Sequence, residues 1–235
     1  MAGELSVFRS EDKYLLSYDQ ALSLKDKLAK LLYKDAHSGD TGYVVRSLYF
    51  DSISHIDFST KLAGTEIRKK IRLRIYNPQD PVCKLEIKQK NGDLQHKISL
   101  IVTKEDAQAL SLGDCSVLTK YFSQSQNAVY MYKTMMLGGY RPVALIEYDR
   151  IAYTYPRFNT RLTLDMNVRS VEGRLDLFDP DPIFTPVLDE QVVLEVKYNQ
   201  KLTGFISQVL RPYHLTKVSV SKYCTGRRIF YDINY

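Results

Sequence analysis

The run Glu66-Ile67-Arg68-Lys69-Lys70-Ile71-Arg72-Leu73-Arg74-Ile75 alternates charged and apolar residues at a period of two. A β-strand sends successive side chains to opposite faces. Glu66, Arg68, Lys70, Arg72 and Arg74 therefore share one face. Ile67, Lys69, Ile71, Leu73 and Ile75 share the other. Arg offers planar forks to phosphate oxygens and Lys offers a point charge. Such a face suits a polyanion if neighbouring strands repeat it.

Several do. Residues 83–90 place Lys84, Glu86, Lys88 and Lys90 on one face. Asn91-Gly92-Asp93 is a hairpin signal, after which Lys97 and Ser99 alternate with Ile98 and Leu100. Tyr148 and Arg150 share a face in the next such segment. Arg161, Thr163 and Asp165 oppose Leu162, Leu164 and Met166. Val193, Glu195 and Lys197 oppose Val192, Leu194, Val196 and Tyr198. An antiparallel sheet with one wet face gives the same alternation. An ordinary solvent face mixes its signs, however, and like charges on cross-strand neighbours repel. A sheet that gathers cations is better explained when an anion sits among them.

The elements that must carry these faces can be read in outline. Strands are expected at 7–16, 44–51, about 65–101 as a cationic group, 143–154, 159–168 and 192–198, with a last short one at 218–221. Ser17 can cap a helix running to about residue 34, with Ala21, Leu24, Leu28 and Leu31 at helical spacing. A short helix or turn is expected at 55–62. Thr103-Lys104-Glu105-Asp106 resembles a capping box, and Gly138-Gly139 stops a helix from about 125. A further helix covers about 203–210. About eight strands linked mainly by hairpins can close into a barrel. Burying unpaired cations inside it would cost several kcal/mol each. Such an interior must be wet, be filled by a polyanion, or hold counter-charges such as Glu66, Glu86, Asp165 and Glu195.

The chain has 235 residues, 44% of them hydrophobic, with a net charge of +6. That fits one domain, 1–235, with a real core and anionic partners. Three scattered Cys argue against a disulfide framework or a zinc site and fit a reducing cytoplasm. The first residues do not read as a signal peptide. No apolar stretch approaches the ~20 residues of a membrane span, so any membrane association would need a partner or a basic surface. Aromatic residues for base stacking are sparse on the basic strands apart from Tyr76, which argues against nucleic acid. The four His suggest no Ser-His or Cys-His nucleophile.

Eight segments then occur in an order that resembles the VTC domain, the polyphosphate polymerase domain of the vacuolar transporter chaperone family. They are Glu11-Asp12-Lys13-Tyr14, Arg46-Ser47-Leu48-Tyr49-Phe50-Asp51, Ile71-Arg72-Leu73-Arg74-Ile75-Tyr76, Lys84-Leu85-Glu86-Ile87-Lys88, Tyr148-Asp149-Arg150, Arg161-Leu162-Thr163-Leu164-Asp165, Leu194-Glu195-Val196-Lys197 and Ser221-Lys222-Tyr223. That family belongs with the triphosphate tunnel metalloenzymes, or CYTH superfamily. The resemblance implies an α+β fold, an eight-stranded antiparallel tunnel with helices outside. It implies transfer of the ATP γ-phosphate to growing polyphosphate, with pyrophosphate or polyphosphate as acceptor and Mn²⁺ or Mg²⁺ as cofactor. By motif, Arg72, Arg74, Lys84, Lys97, Arg150 and Arg161 would be the catalytic cations. Lys13, Lys88, Tyr148, Ser221 and Lys222 would help to bind substrate, and Glu195 would hold the metal. Hydrolytic relatives carry Glu-x-Glu-x-Lys on the first strand, where this chain reads Arg9-Ser10-Glu11-Asp12-Lys13. The loss of the first Glu favours the polymerase branch over a tripolyphosphatase or nucleoside triphosphatase. A polyphosphate-binding module without catalysis is the third reading.

Overall fold

Ser17 and Gln20 start the first helix as a reciprocal pair. The Ser17 hydroxyl accepts from the Gln20 amide at 3.3 Å, and the Gln20 side chain accepts from the Ser17 amide at 3.1 Å. These and all distances below come from a computed structural model, which describes residues 9–39, 41–92, 94–171, 173–188 and 190–231. Val7 and Phe8 of the expected first strand, and Asp93 of the expected hairpin turn, lie outside the described residues.

The strands are β1 (Arg9–Ser17), β2 (Tyr33–Lys34), β3 (Tyr43–Asp51), β4 (Arg68–Ile75), β5 (Val82–Asn91), β6 (Leu94–Thr103), β7 (Arg141–Tyr155), β8 (Thr160–Val171), β9 (Thr185–Pro186) and β10 (Gln191–Asn199). The helices are α1 (Tyr18–Leu31), α2 (Ile56–Leu62), α3 (Lys104–Ser111), α4 (Gln126–Leu137), α5 (Gly204–Leu210) and α6 (Lys222–Tyr231). They fall into two compact units, Met1–Val44 with Tyr148–Val168 and Leu188–Val220, and Val45–Glu147 with Arg169–Val187 and Ser221–Tyr235.

In the first unit the strand order is β1-β10-β8-β7, with β2 added to β7. Helix α1 lays Ala21, Leu24 and Leu28 on Leu16, Leu162, Leu164, Leu194 and Val196. The helix ends at Leu31, short of the expected residue 34, because Tyr33 and Lys34 pair with Thr154 and Tyr153. Tertiary strand pairing outweighs helix propensity there.

In the second unit the order is β7-β3-β4-β5-β6, and β9 pairs with the end of β8. The apolar face of β4 (Ile71, Leu73, Ile75) meets Leu48, Phe50, Leu85 and Ile87, with Ala107, Leu110, Ala128, Met131 and Met135 from α3 and α4 packed over them. Fully burying each large aliphatic side chain contributes about 1.5–3 kcal/mol. That burial fixes which face of β4 turns inward, and so leaves Arg72 and Arg74 on the opposite one. Each unit is thus an antiparallel sheet backed by helices, the α+β class expected.

The C-terminal segment corrects one expectation. Residues 218–221 form no strand; the single bridge Tyr14↔Lys217 lies just before them, and the Val218 amide donates to the Lys13 carbonyl at 2.8 Å. Ser221 instead caps α6, its hydroxyl accepting from the Cys224 amide at 3.3 Å. Gly226 hid this helix, since mid-helix Gly is unfavourable. Its place is set by packing, because a Cβ there would lie 2.4 Å from Ile146 Cδ1.

Candidate functional site

Cross-strand register assembles the charged face of the second unit. Tyr49, Arg72, Glu86 and Ser99 lie abreast on β3, β4, β5 and β6. Ser47, Arg74 and Lys84 form the next row, and Lys70, Lys88 and Lys97 the row on the other side. Glu86 is the counter-ion of this lattice. It accepts from Arg72 Nε at 2.8 Å and Nη2 at 2.7 Å, pairs with Lys97, and lies 3.8 Å from Arg74 Nη1. Burial pushes its carboxyl up, but Arg72, Arg74 and Lys97 outweigh burial and bring its pKa down to about 2. The Lys84 ammonium makes no hydrogen bond or ion pair among the described residues. Ser221 is drawn in by Lys70, whose ammonium donates to its hydroxyl at 2.6 Å. Lys222 opens α6 beside it.

The first unit carries a second set. Glu11 and Lys13 on β1 face Lys197 and Glu195 on β10, so opposite charges alternate in a square. Lys13 Nζ lies 3.0 Å from Glu11 Oε1 and 3.4 Å from Glu195 Oε2, and Lys197 Nζ lies 2.5 Å from Glu195 Oε1. Burial opposes the Lys13 charge, yet Glu195 and Glu11 raise its pKa above the usual range. On β8, Thr163 adjoins Glu195 and Arg161 adjoins Lys197. Arg161 Nη2 reaches Tyr43 Oη at 3.2 Å and Asp35 Oδ2 at 3.1 Å. Arg150 holds Asp165 through a two-pronged bond, 2.6 and 2.8 Å, with its guanidinium 5.2 Å from the Tyr148 ring centre. Burial works against that guanidinium, and Asp165, Tyr148 and Glu195 more than offset it.

The sequence-derived residues therefore sort into two groups. Arg72, Arg74, Lys84, Lys88 and Lys97 share one sheet face, with Ser221 joined to it through Lys70 and Lys222 next in sequence. Lys13, Arg161 and Glu195 share a face of the first unit, where Arg150 and Tyr148 stand together on β7. Sequence reasoning passed over Glu11, although it sits two residues before Lys13 and so on the same face. It also passed over Tyr49 and Tyr43, whose hydroxyls take bonds from Arg72 and Arg161.

Each face also carries buried polar atoms with no protein partner. Among the described residues these include Ser47 Oγ and Arg74 Nε in one unit, and Thr163 Oγ1 and Arg161 Nε in the other. All four can donate a hydrogen bond. Buried donors are normally satisfied, and the oxygens of a phosphate would satisfy these.

A metal can be weighed against the donor set. Among the described residues no group of three or more His, Cys, Asp and Glu gathers. Glu11 and Glu195, however, lie within 3.4 Å of one ammonium. Mg²⁺-type sites use one or two carboxylates and take their remaining ligands from water and substrate phosphates. In this structure the cation that the two carboxylates share is the Lys13 ammonium.

Several solved structures align with this chain, and the first shows the same fold. A candidate adenylate cyclase of Bacillus halodurans aligns with a TM-score of 0.51 at 13% identity, covering 91% of this chain and 95% of its own. A candidate adenylate cyclase of Vibrio parahaemolyticus aligns at 0.49 and 13% identity, covering 92% and 96%. A protein of Pyrococcus horikoshii aligns at 0.45 and 14% identity, covering 90% and 95%. No curated protein gives a significant sequence match. The VTC domain matches residues 8–231, which includes the strands and helices of both units. The chain belongs to the VTC domain family.

Proposed function

We propose that this protein is a polyphosphate polymerase, moving the γ-phosphate of ATP onto a growing chain of inorganic polyphosphate. The observation that carries the reading is the face of the second unit, where Arg72, Arg74, Lys84, Lys88 and Lys97 gather around the carboxylate of Glu86 and the buried donors Ser47 Oγ and Arg74 Nε have no protein partner among the described residues. Family membership supports a triphosphate or polyphosphate as the ligand. On this reading the chain works as one domain, 1–235, and the match across both units supports it.

Phosphoryl transfer asks for these residue types. Its transition state is loose, so catalysis is mainly positioning and charge stabilisation. Arg72, Arg74, Lys84 and Lys97 would bind phosphate in the second unit, with Lys88, Ser221 and Lys222 in support. Lys13, Arg150 and Arg161 would do so in the first, where Tyr148 lines the guanidinium of Arg150. Glu86 and Asp165 hold these guanidinium groups in fixed orientations, so no reorganisation is needed when charge develops. Glu195, with Glu11, would hold Mn²⁺ or Mg²⁺. When bound, that cation neutralises charge on the phosphate oxygens.

The Glu11–Glu195 pair also favours a second reading, a metal-dependent triphosphate hydrolase. Two carboxylates holding one metal ion would let that ion carry and activate a water. Incubating the protein with ATP and Mn²⁺ or Mg²⁺, with and without pyrophosphate, separates the two. Polymer on a gel together with ADP supports the polymerase. Free phosphate without polymer supports the hydrolase. Polyphosphate binding without turnover would leave only a binding module.

A further inference from the structure

Strand β3 supplies no residue to the set above, yet it flanks the most basic strand directly. Tyr49 lies opposite Arg72, and Ser47 lies opposite Arg74. Tyr49 is 5% exposed, and its ring stacks on Tyr223 at 5.1 Å between centres with 20° between planes. Its hydroxyl oxygen accepts from Arg72 Nη1 at 3.1 Å. A phenol that accepts one bond still has its own proton to give. Among the described residues no acceptor takes that proton. The charges that act on the hydroxyl most strongly are Arg72, Arg74 and Lys222, and together they outweigh burial and lower its pKa. Beside it, Ser47 Oγ is buried and also has no partner among the described residues. This short stretch of β3 thus aims donors at a place where the surrounding charge is positive.

We infer that Tyr49 is a phosphate-binding residue, its hydroxyl donating to an oxygen of a phosphate held by Arg72 and Arg74. The inference rests on the reading of this face as a phosphate site and adds β3 to it. Arg72 orients the phenol through the bond it donates, and the Tyr223 ring fixes its plane. A phenol recognises only a phosphate oxygen that accepts. Its conjugate phenolate would repel the same oxygen.

That difference distinguishes a ligand contact from a purely structural role. If Tyr49 only steadied Arg72, ionisation would strengthen its hold, because a phenolate is the better acceptor. If Tyr49 donates to phosphate, ionisation removes the contact. The charged and titratable groups around it are Arg72 and Arg74 from β4, Lys222 and Tyr223 from α6, and Glu86 from β5 beyond Arg72. Tyr49→Phe keeps all of these and the stacking, so it isolates the hydroxyl.

The test is calorimetric titration of the full chain with inorganic tripolyphosphate at about pH 7 and about pH 9.5. Wild type, Tyr49→Phe and Arg72→Ala are compared, and thermal unfolding is recorded for each. At the lower pH, Tyr49→Phe should bind about 10-fold more weakly, with its unfolding midpoint lowered by no more than the loss of the one Arg72 bond entails. At the higher pH the gap between wild type and Tyr49→Phe should narrow to the extent that the hydroxyl ionises. Equal affinity at the lower pH, or a gap that widens at the higher one, overturns the inference. Loss of binding in Arg72→Ala alone leaves the phosphate reading standing and overturns only the role of Tyr49. A wild type that does not bind tripolyphosphate overturns both.

Discussion

Glu86 holds Arg72, Arg74 and Lys97 through one carboxylate and is 2% exposed. Removing one partner from a buried ionic group costs about 3–5 kcal/mol. Glu86→Gln should therefore lower the unfolding midpoint, and tripolyphosphate should restore more stability to the variant than to wild type, since the anion replaces the missing charge. Thermal melts with and without tripolyphosphate check this. The acid dependence follows from the same group. Its folded pKa of about 2 lies below the ordinary Glu value of 4.5, so its stabilisation is full above about pH 4.5 and is lost as pH falls towards 2. At Glu195 the expectation differs. Glu195→Ala should cut turnover by about 100-fold or more while keeping tripolyphosphate binding, because Lys13 and Lys197 remain. Unchanged turnover would remove Glu195 from the metal site. The Arg and Lys positions could be read from sequence because period-two alternation exposes them. Pairings such as Arg161 with Asp35 could not, since they join residues far apart in the chain.

The element that positions Ser221 and Lys222 is α6, and it is anchored through the buried carboxylate of Asp51 at the end of β3, which also caps the start of α2. Asp51 accepts from the amides of Asp57 and Phe58, and from Tyr223 Oη on α6 at 2.5 Å. Arg227 Nη1 lies 3.6 Å from Asp51 Oδ2. Asp57 stands in the first turn of α2, and its carboxylate accepts from Tyr140 Oη at 3.0 Å. Burial first, then the neighbouring Asp51, push its pKa up to about 7, against the pull of Tyr140, Lys69 and Lys70. A carboxyl raised in the folded state stabilises fully below its unfolded pKa, about 3.9, and loses that contribution as pH rises through 7. Asp57→Asn should thus raise the unfolding midpoint at about pH 8 by at least ~3 °C and flatten the decline between pH ~4 and ~7. A midpoint that falls instead would mean that the charged carboxylate is wanted there. The longer strands and most helices were legible from periodicity and caps, as at Ser17 and Thr103, whereas the two-residue strands β2 and β9 were not. Helix α6 was not, because the reason for Gly226 lies on Ile146 and Ser170, which adjoin it only after folding.

Across the whole molecule, a net charge of +6 and the cation-rich face of β4, β5 and β6 favour polyanion capture. No helix among the described residues is long and apolar enough to cross a membrane. The fold class was legible because eight alternating segments with hairpin links admit few arrangements other than an antiparallel sheet. Strand β7 contributes to both units and its sequence shows no break. The central claim is that phosphate leaves ATP for a chain and not for water. Phosphorus NMR of the protein turning over ATP with Mg²⁺ and a pyrophosphate primer measures that partition directly. The account expects ADP to rise in step with the resonance of phosphates inside a chain, with little orthophosphate. ADP rising in step with orthophosphate, and no chain signal, would contradict it.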